Sequence, residues 1–222
     1  MTYKINTMPA QIPDADLALL AQVETATLGH WRQFGFLSRQ IQPVIPRRRV
    51  VGTAVTIAIP GPDSTLLHHL LSLLRPGDFV IVDRLHDDRY ACWGGGVTVG
   101  AKAAGAVGAV VDGPCTDVEE IEQSDFPMWC RGVSPITTRL YDIGGAINVP
   151  VSVGNTVVMP GDAVLADESG VIVLPPEEVA AEAQKAIDTQ LRGKAREASV
   201  RDTGVRLGDL SGATKMVMAK LG

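Results

Sequence analysis

Leu17, Leu19, Leu20, Val23 and Leu28 recur at roughly helical steps near the start of the chain. That spacing gathers apolar side chains on one side of a helix. With Pro13-Asp14 as a start signal, it predicts a helix over Asp14 to Thr27. The pattern then shifts to short unbroken apolar runs. Val50 to Ile59 reads as a strand, ended by Pro60-Gly61-Pro62, and Phe79 to Asp83 reads as another, covered on both faces. Between them, Asp63 or Ser64 caps a helix running to about Leu74, and Pro76-Gly77-Asp78 makes a turn. A helix opens at Trp93-Gly94-Gly95-Gly96 and runs to about Ala104. It feeds a strand over Ala106 to Val111, a short helix over Asp117 to Gln123 and a strand over Pro127 to Cys130. Strand, helix, strand at these lengths is a βαβ signature.

After Ser134 the texture becomes antiparallel: short β runs at Val149–Val153, Thr156–Met159, Ala163–Ala166 and Val171–Leu174, separated by glycine-, proline- and asparagine-bearing turns. Pro175-Pro176 starts a helix expected to reach about Gln190. Residues 191–222 are polar and weakly patterned, either a packing arm for a neighbouring subunit or a frayed end. No internal repeat or low-complexity linker divides the chain. The expectation is an α/β fold, a single compact domain over 1–222 with central β layers flanked by helices. Residues 1–49 form a helical lead-in and 191–222 a C-terminal arm.

Composition narrows the function. The chain has 222 residues, enough for a buried core, with 45% hydrophobic and 20% charged residues, which excludes a disordered chain. A net charge of −5 argues against nucleic-acid binding through phosphate neutralisation. An acidic protein that handles anions must concentrate positive charge locally, in a metal, an arginine or a helix start. Three cysteines without CxxC spacing argue against a disulfide frame or structural zinc. Met1 to Asn6 lacks the basic start and apolar run of a signal peptide, and no apolar stretch reaches the roughly 20 residues of a membrane span. A cytoplasmic protein that does not engage a membrane is expected.

Two segments could carry chemistry. At Trp93-Gly94-Gly95-Gly96-Val97-Thr98, three glycines at a helix start bare the backbone, and the free N–H groups with the helix dipole favour an anion. The spacing is neither a P-loop nor a dinucleotide fingerprint, and a tight turn alone also accounts for it. At Asp112-Gly113-Pro114-Cys115-Thr116-Asp117, one aspartate ends a buried strand and another opens a helix, where α/β sheets collect ligands. A carboxylate there can hold Mg²⁺ or Mn²⁺, with water filling the other positions. The competing readings are a turn aspartate at Asp112 and a plain helix cap at Asp117. Cys115 lacks a nearby histidine to activate it as a nucleophile. Asp83 to Arg89 is a polar stretch expected on the same rim, and His86 is the histidine to test as an acid or base. His68 and His69 are adjacent on a helix, face different sides and are taken as structural. Arg47-Arg48-Arg49 reads as a solvated strand entry rather than an anion site.

An ordered chain of motifs resembles one family. Pro76-Gly77-Asp78-Phe79-Val80-Ile81-Val82-Asp83, Trp93-Gly94, Gly108-Ala109-Val110-Val111-Asp112-Gly113 and Asp117 are similar to the family of the regulator of ribonuclease activity A. That family also holds the class II pyruvate aldolases acting on 4-hydroxy-4-methyl-2-oxoglutarate and 4-carboxy-4-hydroxy-2-oxoadipate. The likeness continues through Pro127 to Pro135, Val149-Pro150-Val151, Val158 to Asp162 and Ala166 to Val171, covering roughly Val50 to Leu174. The resemblance implies a homotrimer or a hexamer and a divalent metal, Mg²⁺ or Mn²⁺, held at Asp117. It implies a small 2-oxo acid whose oxygens meet Gly94, Gly95, Gly96 and Val97, with Thr116 touching substrate. Two positions depart from the aldolases, which usually carry Arg-Asp at Thr116-Asp117 and Gly-Glu at Gly94-Gly95.

The leading expectation is therefore a metal-dependent carbon–carbon lyase, an aldolase or decarboxylase with an altered substrate clamp, in which Asp117 and Thr116 act. One alternative keeps fold and metal but changes the reaction, for a less anionic substrate. The other is a non-catalytic regulator of a protein partner.

Overall fold

The computed structural model describes residues 2–221. Its elements are β1 (Tyr3–Ile5), α1 (Asp14–Leu20), α2 (Thr25–Leu28), β2 (Gln42–Pro43), β3 (Val50–Ala58), α3 (Thr65–Leu71) and β4 (Asp78–Asp83). Then follow α4 (Gly95–Ala103), β5 (Gly108–Val111), α5 (Val118–Gln123), β6 (Met128–Cys130), β7 (Gly145–Ile147), β8 (Val151–Val153), β9 (Thr156–Val158), β10 (Ala163–Asp167) and β11 (Gly170–Leu174). A 3₁₀ turn (Pro176–Glu178), α6 (Val179–Thr203), α7 (Leu207–Leu210) and α8 (Ala213–Leu221) complete the chain.

β3, β4, β5 and β6 pair in parallel at the centre of a mixed sheet ordered β1-β7-β3-β4-β5-β6-β2. One edge of β3 is shared. β10 runs antiparallel along Val50–Thr53, and β7 takes over at Ile57-Ala58. β8 and β9 form a separate hairpin. The central strands are apolar on both faces because both are covered. Alternation along the strand sends Val55, Ile57, Val80, Val82 and Val111 toward α3, α4 and α5, and Ala54, Phe79, Ile81 and Val110 toward the β8–β9 hairpin. A third core cluster packs α1, α2 and α6 on the β10–β11 hairpin. Among the described residues, no helix is long and apolar enough to cross a membrane.

Four expectations change. The helix expected over Asp14 to Thr27 is two helices. Gln190 of α6 holds the break by accepting from Glu24 N–H and donating to the Gln22 carbonyl, while the buried Asp167 carboxylate accepts from Thr25 N–H at 2.8 Å and Thr25 Oγ1 at 2.6 Å. These acceptors come from far along the chain and override a continuous local pattern. The lead-in is not purely helical, since it also supplies β1 and β2 to the sheet. α6 runs past Gln190 to Thr203, because good helix formers such as Arg, Lys, Glu and Ala continue there without an apolar stripe. α3 stops at Leu71 rather than Leu74.

Asp63, not Ser64, serves the start of α3. Its carboxylate accepts from Thr65 N–H and Thr65 Oγ1, and from Tyr141 N–H and Ile143 N–H, stapling the segment before β7 to α3. Burial pushes the carboxyl up, but the bonds from Thr65, Tyr141 and Ile143 outweigh it and hold the pKa at about 2, below the ordinary 3.8. With the folded value depressed, this contribution to stability is complete above the unfolded pKa and disappears as pH falls from there through about 2. Urea midpoints measured from pH 5 down to pH 2 should therefore fall more steeply for the native chain than for Asp63→Asn. Parallel curves would remove Asp63 from the acid-sensitive set.

Candidate functional site at the start of helix α4

Trp93 sets the geometry of the glycine run. It is fully buried, stacks on Phe126 with ring centroids 5.9 Å apart, and donates from Nε1 to Thr98 Oγ1 within α4 at 2.9 Å. Its carbonyl accepts from Thr116 N–H at 2.9 Å. One anchored indole thus fixes the start of α4 and the loop that carries Thr116 and Asp117.

Asp117 sits in the left-handed backbone region, φ 53°, at the residue before α5. This conformation, which aspartate tolerates better than most side chains, turns its carboxylate toward α4. Gly95 N–H donates to Oδ2 at 3.0 Å and Thr116 Oγ1 to Oδ1 at 3.1 Å. Asp117 is therefore more than a cap of its own helix: it reaches the amide of another.

The glycines leave room for carboxylates. A Cβ on Gly94 would stand 2.4 Å from Asp117 Oδ2, and one on Gly95 would stand 1.7 Å from Glu120 Oε2. Gly96 faces nothing within 4 Å, so space remains open above it. The N–H groups of Gly96 and Val97 lie in the first turn, where no earlier carbonyl of the helix can accept from them. Gly95 N–H, expected to meet substrate, is taken by Asp117.

Glu120 is the functional candidate that the sequence reading missed. It stands on the first turn of α5, three residues beyond Asp117. Its carboxylate lies where a side chain at position 95 would begin. A carboxylate delivered from α5 therefore occupies the space beside Gly95.

The other candidates fall elsewhere. Asp112 is structural: it pairs with Arg131 and accepts from Gly154 N–H at 2.8 Å, bracing the β8–β9 hairpin. Arg131 also bonds Gln40, and Arg89 lies over the Tyr90 ring at 5.4 Å. His86 lines a separate polar cleft of about 220 Å³ with Asp87, Asp88, Asp112, Arg131, Ser152 and Asn155. Cys115 is fully buried with its Sγ 3.3 Å from that of Cys130; the bond to Cys130 and burial push its thiol well above the ordinary range. Burial raises Cys92 to about 11. Neither is a competent nucleophile. His68 and His69 are exposed, and Arg48 and Arg49 pair with Asp125 and Glu24.

No group of three or more His, Cys, Asp or Glu side chains forms a metal cluster among the described residues. The donor chemistry at α4 nonetheless fits a hard cation. Asp117 and Glu120 bring carboxylates to the space above adjacent glycines, and Mg²⁺ commonly takes one or two carboxylates and completes its shell with water and substrate oxygens.

The RraA-like family profile, Aldolase/RraA, matches residues 10–173. The chain belongs to the RraA-like family. A relative from Halalkalibacterium halodurans, provisionally named a 4-hydroxy-4-methyl-2-oxoglutarate aldolase, is 33% identical over 166 residues, covering 75% of this chain and 79% of that protein. The 4-hydroxy-4-methyl-2-oxoglutarate aldolase of Thermus thermophilus is 30% identical over 129 residues, 58% of this chain and 77% of that one. The crystal structure of Streptomyces coelicolor RraAS2, described as an unusual member of the RNase ES inhibitor RraA protein family, superposes with a TM-score of 0.74 at 27% identity, covering 85% of this chain and 99% of that chain. The RraA-like fold, a central sheet flanked by helices, is the one seen here. Its relatives include proteins named as lyases and proteins named as ribonuclease inhibitors.

Proposed function

We propose that this chain is a divalent-metal-dependent carbon–carbon lyase, an aldolase or decarboxylase acting on a small 2-oxo acid at the start of α4. The observation that carries the reading is the placement of Asp117 and Glu120 against Gly94 and Gly95, with Gly96 open beside them. Relatives named as aldolases support the reaction class.

Asp117 and Glu120 would hold Mg²⁺ or Mn²⁺. When bound, the cation is a Lewis acid that draws electron density from the 2-oxo acid's oxygens. Breaking the C3–C4 bond leaves an electron pair on C3, delocalised onto the C2 carbonyl oxygen; C4 departs as CO2 from oxaloacetate or, from a 4-hydroxy acid, as a carbonyl whose hydroxyl proton passes to water, and C3 then takes a proton from water. The first-turn N–H groups of Gly96 and Val97 face the developing negative charge, and the α4 dipole favours it. The Gly95 N–H and Thr116 hydroxyl orient Asp117. Asp117 and Glu120 are exposed in the isolated chain, and this chemistry benefits from excluded water, so a homotrimer or hexamer with the site near a subunit seam fits the reading.

A second reading has one observation in its favour. Thr116 stands where the aldolases carry arginine, and Arg89 and Arg131 are engaged elsewhere. A substrate with fewer carboxylates suits such a rim. A panel of oxaloacetate, 4-hydroxy-4-methyl-2-oxoglutarate and neutral hydroxy-ketones, assayed for cleavage with Mn²⁺ in excess against Mn²⁺ alone, separates the two. Cleavage confined to the neutral compounds favours the second, and no divalent-dependent turnover of any compound defeats both.

A further inference from the structure

Cys92, Cys115 and Cys130 share one core cluster, and all three thiols are free. Two of them touch, with the sulfurs of Cys115 and Cys130 3.3 Å apart. The contact follows from the parallel pairing of β5 and β6, which continues past the ends of both strands. The Gly113 carbonyl accepts from Arg131 N–H, Cys115 N–H donates to the Gly132 carbonyl, and Ser134 N–H donates to the Cys115 carbonyl, each at 2.9 Å. This ladder holds the two sulfurs face to face. A disulfide, with its sulfurs about 2.05 Å apart, needs a further approach of roughly 1 Å.

Cys130 is the sulfur placed to react first. The bond it shares with Cys115 outweighs burial and holds its thiol below the ordinary range. A buried positive charge lies close to the same cluster. Arg84 has no exposed surface, its Nε and Nη1 find no acceptor among the described residues, and its charge favours a thiolate at Cys92.

Cys115 is tied to the site by the chain itself. The next residue, Thr116, has its N–H fixed to the Trp93 carbonyl, and the one after, Asp117, accepts from Gly95 N–H. Drawing the Cys115 sulfur onto Cys130 pulls on that short connection. A misplacement of about 1 Å at a reacting site costs on the order of 10²-fold.

We propose that Cys115 and Cys130 are a redox-active dithiol, closed to a disulfide by a small peroxide, and that closure disables the site at the start of α4. The Cys130 sulfur attacks one peroxide oxygen and the O–O bond breaks. The second oxygen leaves as hydroxide and takes the thiol proton, giving water and a sulfenic acid. The Cys115 sulfur then attacks the Cys130 sulfur, the S–O bond breaks, and the departing hydroxide takes the Cys115 proton as a second water. The sulfurs lose two electrons and the peroxide gains two. The effect on metal binding rests on the lyase reading above; closure and the disturbance of the loop do not.

The test treats the folded, full-length chain with hydrogen peroxide, blocks the remaining thiols and maps the peptides by mass spectrometry. The expected product is one peptide pair joining Cys115 to Cys130, lighter by two hydrogens and separated again by dithiothreitol. Cys92→Ala should form the same link. In the closed form the Thr116 and Gly95 amides should exchange with solvent about tenfold faster or more, and Mn²⁺ affinity should fall by at least about tenfold. A reduced chain that binds no Mn²⁺ defeats the lyase reading alone, and amide exchange then decides whether closure disturbs the loop. Three results overturn the proposal: thiols oxidised without a Cys115–Cys130 link, a link that requires Cys92, or closure that leaves the Thr116 and Gly95 amides unchanged.

Discussion

Asp117→Asn is expected to abolish divalent-cation binding and to lower lyase turnover by on the order of 10²–10³, the usual effect of removing one preorganised electrostatic group. Asparagine is the sharper probe than alanine. It keeps the shape, can still accept from Gly95 N–H, and is tolerated at the φ of 53° that this position requires. What it removes is the charge. Asp117 is exposed and touches no apolar core, so unfolding free energy should move by no more than about 0.5 kcal/mol. Calorimetric titration with Mn²⁺ reads the binding and pyruvate release from oxaloacetate reads the turnover. Glu120→Gln should weaken binding less, because no bond to the α4 backbone orients that side chain among those described. Mn²⁺ binding unchanged in Asp117→Asn would falsify the assignment of the site.

Thr116→Arg is expected to raise oxaloacetate decarboxylation by on the order of 10²–10³. The residue lies beside Asp117 with its N–H fixed to the Trp93 carbonyl, so an arginine here starts from a rigid loop position next to that carboxylate. Adding Gly95→Glu should erase the gain rather than extend it. A Cβ at Gly95 stands 1.7 Å from Glu120 Oε2 and 3.0 Å from Glu120 Cβ, so the new side chain must displace the carboxylate already in place. If native turnover is already fast and arginine slows it, the native site does not need that cation, and both the missing clamp at Thr116 and the less anionic substrate are wrong readings. If the double variant exceeds Thr116→Arg, Glu120 does not fill the role given to it.

Much of this was legible in the sequence, for a physical reason in each case. β4 and β5 read as unbroken apolar runs because helices cover one face and the β8–β9 hairpin covers the other. The glycines at the start of α4 pointed to a close approach, although what approaches in this structure is Asp117 and Glu120. Glu120 was hidden because a carboxylate in the first turn of a helix is favourable on dipole grounds alone, so its sequence position carried no surplus signal. The break between α1 and α2 was hidden because Asp167 and Gln190, which enforce it, lie more than 140 residues away. Asp112 misled because a carboxylate at a strand end looks the same whether it serves a ligand or an arginine.

The pairing of β1 with β7 bears on the order in which the chain acquires its structure. Tyr3, Lys4 and Ile5 register on Gly145, Ala146 and Ile147, and the start of α2 waits for Asp167. During synthesis, Gln11 and Ile12 meet Thr53, Pro76 and Asp78 early, but β1 has no strand partner until Gly145–Ile147 has emerged and Thr25 has no acceptor until Asp167 has. The β3–β4–β5–β6 centre can assemble earlier from contacts that are shorter in sequence. β1 and α2 then close last, as clasps on a sheet already formed, and such long-range closure is intrinsically slow.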